Sequence, residues 1–353
     1  MSKFLEKLIK KVHWIITLLL ILTSFSNAGE LKQLSSLLNN KGKYFGSAIL
    51  WRKLANDTTY RKNVAAFSMA TPETEMKLFY VQKTRGIYDF SDADSIVSFC
   101  KNNNILVRGH TLVYSVKERP QWLTANDFSK DTLWKILHVY VSTVAKHFEG
   151  KLYCWDVVNE AIDNNGKMVP NKFYKALGET YIDSAFIWTH IADPKVKLFY
   201  NDYYSNYSHD EYKKKLDLTY KLLSRLKNSG IKVDGIGLQM HQSIDKTIDY
   251  GYFKTYLDKF AELGLEIHFT ELDVAIDTPF TISKFQEQAK VYKDVVSLFV
   301  SVPACKSLIV WGFTDTTSWI PAYSKGKKGA ACLLDAHYQP KPAFDTILQY
   351  LKK

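Results

Sequence analysis

Cysteine is scarce: 353 residues hold four, Cys100, Cys154, Cys305 and Cys332, and no two form a C-x-x-C pair. Four are too few for a disulfide framework in a chain of this size, and buried thiols are the expectation. No Cys/His cluster has zinc-ligand spacing, and neither H-x-H, H-E-x-x-H nor a clustered acidic triplet occurs. This argues against a metal-dependent hydrolase built on the same His and Glu residues. Proline-, serine- or glycine-rich tracts and low-complexity segments are also missing, so nothing marks a linker and a single domain is the simplest account. A long basic arm is lacking too. The formal charge is +11, but its lysines are scattered, with short clusters at 213–215 and 325–328. A solvated surface rather than a nucleic-acid-binding face explains that pattern.

The sequence has one conspicuous apolar run, about Trp14 to Leu22, preceded by Lys3, Lys7, Lys10 and Lys11 and followed by Ser26-Asn27-Ala28. It is shorter than the roughly 20 residues that span a bilayer, and the small residues offer a cleavage site. Residues 1–28 therefore read as a signal peptide cleaved near Ala28, rather than an uncleaved anchor. The expected product is a secreted, extracellular or periplasmic chain of residues 29–353, with formal charge +8, no stable membrane span, and a monomeric state.

Along the rest of the chain, short β-branched and aromatic runs alternate with segments of helical spacing. Eight runs qualify: "YFGSAIL", "VAAFSMA", "ILVRGHTLVY", "LYCWDVVNE", "KLFYND", "GIGLQMH", "EIHFTELDV" and "LIVWGFTD". Between them lie helix candidates such as "SDADSIVSFCKNN", with Ser91 as N-cap, and "YKKKLDLTYKLLSRLKNSG", with Gly230 past its C-terminus. Eight βα units in about 300 residues predict an α/β fold, the (β/α)8 TIM barrel, whose working face lies at the C-terminal ends of the strands.

The polar residues closing those strands form one chemical set: His110, Asn159 and Glu160, Asn201 and Asp202, His241, Glu271 and Asp273, and Trp311 with Asp315. A single strand turning polar where it surfaces is unremarkable, but agreement across the set is less easily dismissed. Glu160 and Glu271, from strands four and seven, would face each other across the barrel mouth. Such a pair, with no metal or cofactor signature, suits hydrolysis of a glycosidic bond, and about 5–5.5 Å separates the two carboxyls in retaining enzymes. One must be protonated while the other is ionised. Burial beside Trp155 and the Asn159 amide favours a neutral Glu160, and His241 with Asp273 favours an ionised Glu271. Tyr114, Tyr203, Trp311 and Trp319 supply aromatic surface of the kind sugar faces stack on, although Trp51, Trp134 and Trp188 fit a core role equally well.

The stretches "GHTLVY", "WDVVNEAI", "GLQMHQ", "HFTELDV" and "WGFTDTTSWIP" together resemble the family 10 glycoside hydrolases, chiefly endo-β-1,4-xylanases, over about Gly46 to Phe344. The resemblance implies a retaining double displacement on β-1,4-xylan or xylo-oligosaccharides, with Glu160 as acid/base, Glu271 as nucleophile and no cofactor. It implies that Asn159 binds the sugar 2-OH and that His241 and Asp273 tune Glu271. Glu73, Lys77, His110 and Tyr114 match glycone-side positions. Gln239 and Tyr203 match the reaction centre and leaving-group side, and Trp311 and Trp319 the cleft walls. The departures cluster on the glycone side, where Thr74, Leu78, Tyr114, Ser115 and Lys117 replace commoner residues. Another β-glycan as substrate, or a non-catalytic sugar-binding relative, are the competing readings. Lys325, Lys327 and Lys328 raise the further expectation that acidic decorations on the polymer are tolerated.

Overall fold

In the structure, a computed structural model, the described residues are 28–114, 120–204, 209–246 and 248–353. The signal-peptide segment, but for Ala28, and the altered positions Ser115 and Lys117 lie outside them.

Eight parallel strands close into a barrel: β1 Tyr44–Ile49, β2 Met69–Pro72, β3 Leu106–Tyr114, β4 Cys154–Asn159, β5 Lys197–Asp202, β6 Gly235–Leu238, β7 Glu266–Asp277 and β8 Cys305–Val310. Each pairs with the next, and β8 returns to β1 through Tyr44↔Ser307 and Ser47↔Val310. Helices cover the outside, the longest being Lys130–His147, His209–Asn228 and Ile282–Ser301. Ser129, Asn171, Asp249 and Thr281 cap their helices by accepting a first-turn amide. Among the described residues no helix is long and apolar enough to cross a membrane, and all four cysteines are buried and free.

Several boundaries differ from the sequence reading. Only the last two residues of "VAAFSMA" are strand: Asp57 caps a helix over Thr58–Val64, and the strand begins at Met69. Ser91 is the first residue of its helix rather than its cap; its amide donates 3.0 Å to Asp89 Oδ1, which does the capping from outside. Gly230 does stand past a helix C-terminus, at φ +72°, where Ile231 N reaches back to Leu226 O. His241 does not close β6. The chain turns at Met240, φ +61°, and His241–Ser243 forms a separate short strand paired with β7, His241 opposite Asp273.

A polar chain crosses the barrel interior. Arg108 donates to Asp156 and, at 2.7 Å, to His268 Nδ1, so the His268 proton sits on Nε2, 2.7 Å from Glu266 Oε1. An added Cβ on Gly237 would come within 2.1 Å of Asn201 Oδ1 and 2.6 Å of Arg108 Nη2. Glycine on β6 is thus what leaves room for both side chains.

Candidate active site

The C-terminal strand ends surround an open cleft of about 730 Å3. Thirteen of the residues singled out from sequence line it: Glu73, Lys77, His110, Tyr114, Asn159, Glu160, Tyr203, Gln239, His241, Glu271, Asp273, Trp311 and Trp319; Asn201 and Asp202 stand behind them, buried. Asp315 does not line it either. It accepts Cys332 N at 2.9 Å and pairs with Lys341 at 3.0 Å, a structural bond behind the cleft.

Glu271 projects from the middle of β7 and is buried. Its Oε1 accepts Asn201 Nδ2 at 2.9 Å, and its Oε2 lies 3.2 Å from His241 Nε2. Burial alone would push its carboxyl up. The His241 hydrogen bond, the nearby His110 and the Asn201 amide outweigh it and hold the carboxyl below its ordinary value. His241 bridges two acids, its Nδ1 standing 3.0 Å from Asp273 Oδ2 as an ion-pair contact. Burial opposes its charge, but Asp273 and Glu271 prevail and raise it to about 10. A cationic imidazole is therefore locked between two carboxylates.

Glu160 follows β4 immediately, at φ +55°, a conformation that costs a non-glycine residue energy. It is raised to about 7, first by burial and next by Asp202, with Glu271 adding to the repulsion. The Trp155 ring packs against Phe148 and Gly109. Gln239 Nε2 donates 2.9 Å to Glu160 Oε1. The same nitrogen is 3.5 Å from Asn159 Oδ1, which accepts Asn201 Nδ2 at 2.7 Å. A chain of amides thus runs from one glutamate to the other. Asn201 links both halves of it, and Thr270 Oγ1 fixes its amide by donating 2.8 Å to Oδ1.

Glu75 braces the loop that carries Glu73, Thr74 and Lys77, accepting Trp51 N at 2.6 Å and Thr74 N at 3.1 Å. Lys77 Nζ stands 5.4 Å from the Tyr114 ring centroid. His110 Nδ1 bonds Asp156 Oδ2 at 2.9 Å, and Trp311 meets the His110 ring edge-on at 5.4 Å. Leu78 stays behind the wall, beside a void of about 20 Å3 shared with Lys77 and Tyr114, room for about one water.

Lys328 Nζ contacts Ser243 Oγ at 2.8 Å, Asp245 at 2.7 Å and Asp277 at 3.4 Å. Its charge is thereby matched, while Lys325 and Lys327 are exposed and do not line the cleft. Of the basic loop, only Lys328 reaches the cleft, and it arrives paired. The reading of 213–215 as solvated surface needs correction, since Lys215 is fully buried against Asp202 at 2.7 Å. Its spacing from Tyr212, Thr219 and Leu222, all on the buried stripe of the helix, was the signal that could have placed it there.

The model of "Glycosyl hydrolase family 10" matches residues 33–350. Endo-1,4-beta-xylanase B of Thermotoga neapolitana is 38% identical over 289 residues, 81% of either chain. Among solved structures, xylanase 10B from Thermotoga petrophila RKU-1 in complex with xylobiose superposes with TM-score 0.85 at 35% identity, covering 90% of this chain and 97% of that one. Native xylanase 10B from Thermotoga maritima gives TM-score 0.85 at 36% identity, covering 90% and 98%.

Proposed function

The chain belongs to glycosyl hydrolase family 10, and on that premise we propose that it is a retaining endo-1,4-β-xylanase acting on xylan and xylo-oligosaccharides. The observation that carries this reading is the opposite electrostatic treatment of two glutamates lining one cleft, Glu160 raised to about 7 and Glu271 held low. A protonated Glu160 gives its proton to the glycosidic oxygen as the carboxylate of Glu271 attacks the anomeric carbon and the C–O bond breaks. Glu160, now a carboxylate, takes a proton from water. That water attacks the same carbon and releases Glu271 with the original configuration. Asn159 Oδ1 is engaged by Asn201, which leaves the Asn159 NH2 to donate to the sugar 2-OH. His241 and Asp273 hold Glu271 ionised and in line. The xylobiose complex of the Thermotoga petrophila enzyme supports the substrate class.

Reducing ends released from xylan by the wild type and not by Glu271→Ala, with the β-anomer appearing first by NMR, are the expected results. Equal inactivity of the two proteins would remove the enzyme reading, and α-anomer first would remove retention. The basic and then apolar pattern of residues 1–28 supports action outside the cytoplasm. Protein recovered from the medium or periplasm should then begin near residue 29 on N-terminal sequencing.

A further inference from the structure

Asp202 and Lys215 are both fully buried beside the cleft, and the scheme above uses neither. Asp202 ends β5. The parallel register Asn159↔Asn201 brings the next residues, Glu160 and Asp202, side by side. Their neighbours tie them together. Glu160 N donates 2.9 Å to Asn201 O, and Gln239 bonds both, through its backbone N to Asp202 O at 3.0 Å and its side chain to Glu160. Tyr200 OH donates to Asp202 Oδ2 and accepts Ala161 N at 3.2 Å.

Two carboxyls placed in this way repel; burial raises Asp202 above its ordinary value, and only its partners, Lys215 first, work against that. Lys215 reaches in from helix His209–Asn228 to stand 2.7 Å from Asp202 Oδ1. Tyr203 N donates to the same oxygen at 2.9 Å, and the Tyr203 ring centroid is 3.2 Å from Lys215 Nζ. The other groups facing Glu160 are Glu271 from β7, with His241 on its Oε2, and the neutral Gln239. Asp163, in the loop beyond Glu160, acts on Lys215. Within this set, the cation beside the acid is Lys215.

We propose that Asp202 and Lys215 form a buried positioning pair that sets the acid strength of Glu160: the Asp202 carboxylate keeps Glu160 protonated for catalysis, and Lys215 limits that effect and holds Asp202 in place. The proposal rests on the assignment of Glu160 as the acid. Asp202 acts through Glu160 and touches no sugar.

The test is kcat/KM against pH. Asp202→Asn keeps acceptors for Tyr200 and Tyr203 but removes the negative charge. On xylan its basic limb should fall by about one pH unit, with the acid limb unmoved. A 2,4-dinitrophenyl xylobioside has a leaving group that needs no proton, so its kcat/KM should stay within about twofold of wild type. A folded, active Asp202→Asn with the wild-type basic limb would overturn the proposal, as would equal loss on both substrates. Should the unpaired Lys215 prevent folding, the uncharged pair Asp202→Asn/Lys215→Met leaves no buried lone charge. Its basic limb should also lie below wild type, though less far, and a wild-type limb in it is equally fatal. Failure of the glycosidase reading itself looks different, because the wild type would then release no sugar at any pH.

Discussion

Trp319 Nε1 donates 2.8 Å to Asp273 Oδ2, the same oxygen that faces His241 Nδ1 at 3.0 Å. A cleft-wall tryptophan is therefore also the last link of the relay Trp319–Asp273–His241–Glu271, and its ring meets His241 edge-on at 5.0 Å. Trp319→Phe keeps an aromatic face for the sugar but deletes the donor. We expect kcat to fall about tenfold, the equivalent of a charge-assisted hydrogen bond of roughly 1.5 kcal/mol, with a smaller change in KM. Steady-state kinetics on xylohexaose decide between this and a pure wall role, which would move KM alone.

The two glutamates predict the shape of the pH profile. Activity needs Glu160 protonated and Glu271 ionised, so kcat/KM should rise as pH climbs through the depressed value of Glu271, below the ordinary 4.5. It should then decline through about pH 7 as Glu160 loses its proton. A basic limb lying above pH 9 would contradict the assignment of Glu160 as the acid.

The route from sequence to this site was short for some residues and closed for others. Glu160 and Trp311 were legible because each follows an apolar strand, and His110 and Glu271 because each is a polar residue set in the middle of one; each strand runs on past them, to Tyr114 and Asp277, and parallel strands in a barrel deliver those parts to one face. Asn201 was visible as a strand end, but its bridging of Asn159 to Glu271 is a matter of strand register, which no local pattern encodes. Lys215 was hidden by its neighbours: in a run of three lysines, composition says surface, and the helical spacing that says otherwise carries weight only once the helix is docked. Asp315 misled for the opposite reason, since it too follows a barrel strand but turns back to Lys341.

Lys328 joins the loop after β8 to Asp245 and Asp277. With its charge matched, the enzyme should cleave neutral and glucuronic-acid-bearing xylan at similar rates even at low salt, where exposed charge acts most strongly. Lys328→Ala should instead loosen the cleft wall at Ser243 and Asp245, raising KM for long oligosaccharides about threefold and leaving kcat nearly unchanged. A marked low-salt preference for the acidic polymer, abolished by that substitution, would show instead that Lys328 attracts acidic decorations.

The void behind Leu78, about 20 Å3 in size, gives no added room in the cleft itself. Xylan should accordingly be degraded well ahead of carboxymethylcellulose in a reducing-sugar assay with matched substrate mass. Comparable rates on the two would reopen the β-glucan reading.

Raising the acid's proton affinity should also leave a mark on stability. The folded state holds a proton on Glu160 up to about pH 7, whereas the unfolded chain releases it near the ordinary 4.5. Between those values the folded form binds more protons, so this residue's contribution declines as pH rises from about 4.5 and reaches its least favourable level above 7. Ionisation then places a carboxylate beside Asp202 and Glu271. Glu160→Gln removes that cost while keeping an acceptor for Gln239. It should therefore be more stable than wild type at pH 8, by on the order of 2 kcal/mol, and nearly equal at pH 4.5. Urea unfolding of both proteins at the two pH values measures the difference directly. A stability gap of the same size at both would mean that the substitution acts through packing or the strained backbone at φ +55°, and not through the charge that catalysis requires.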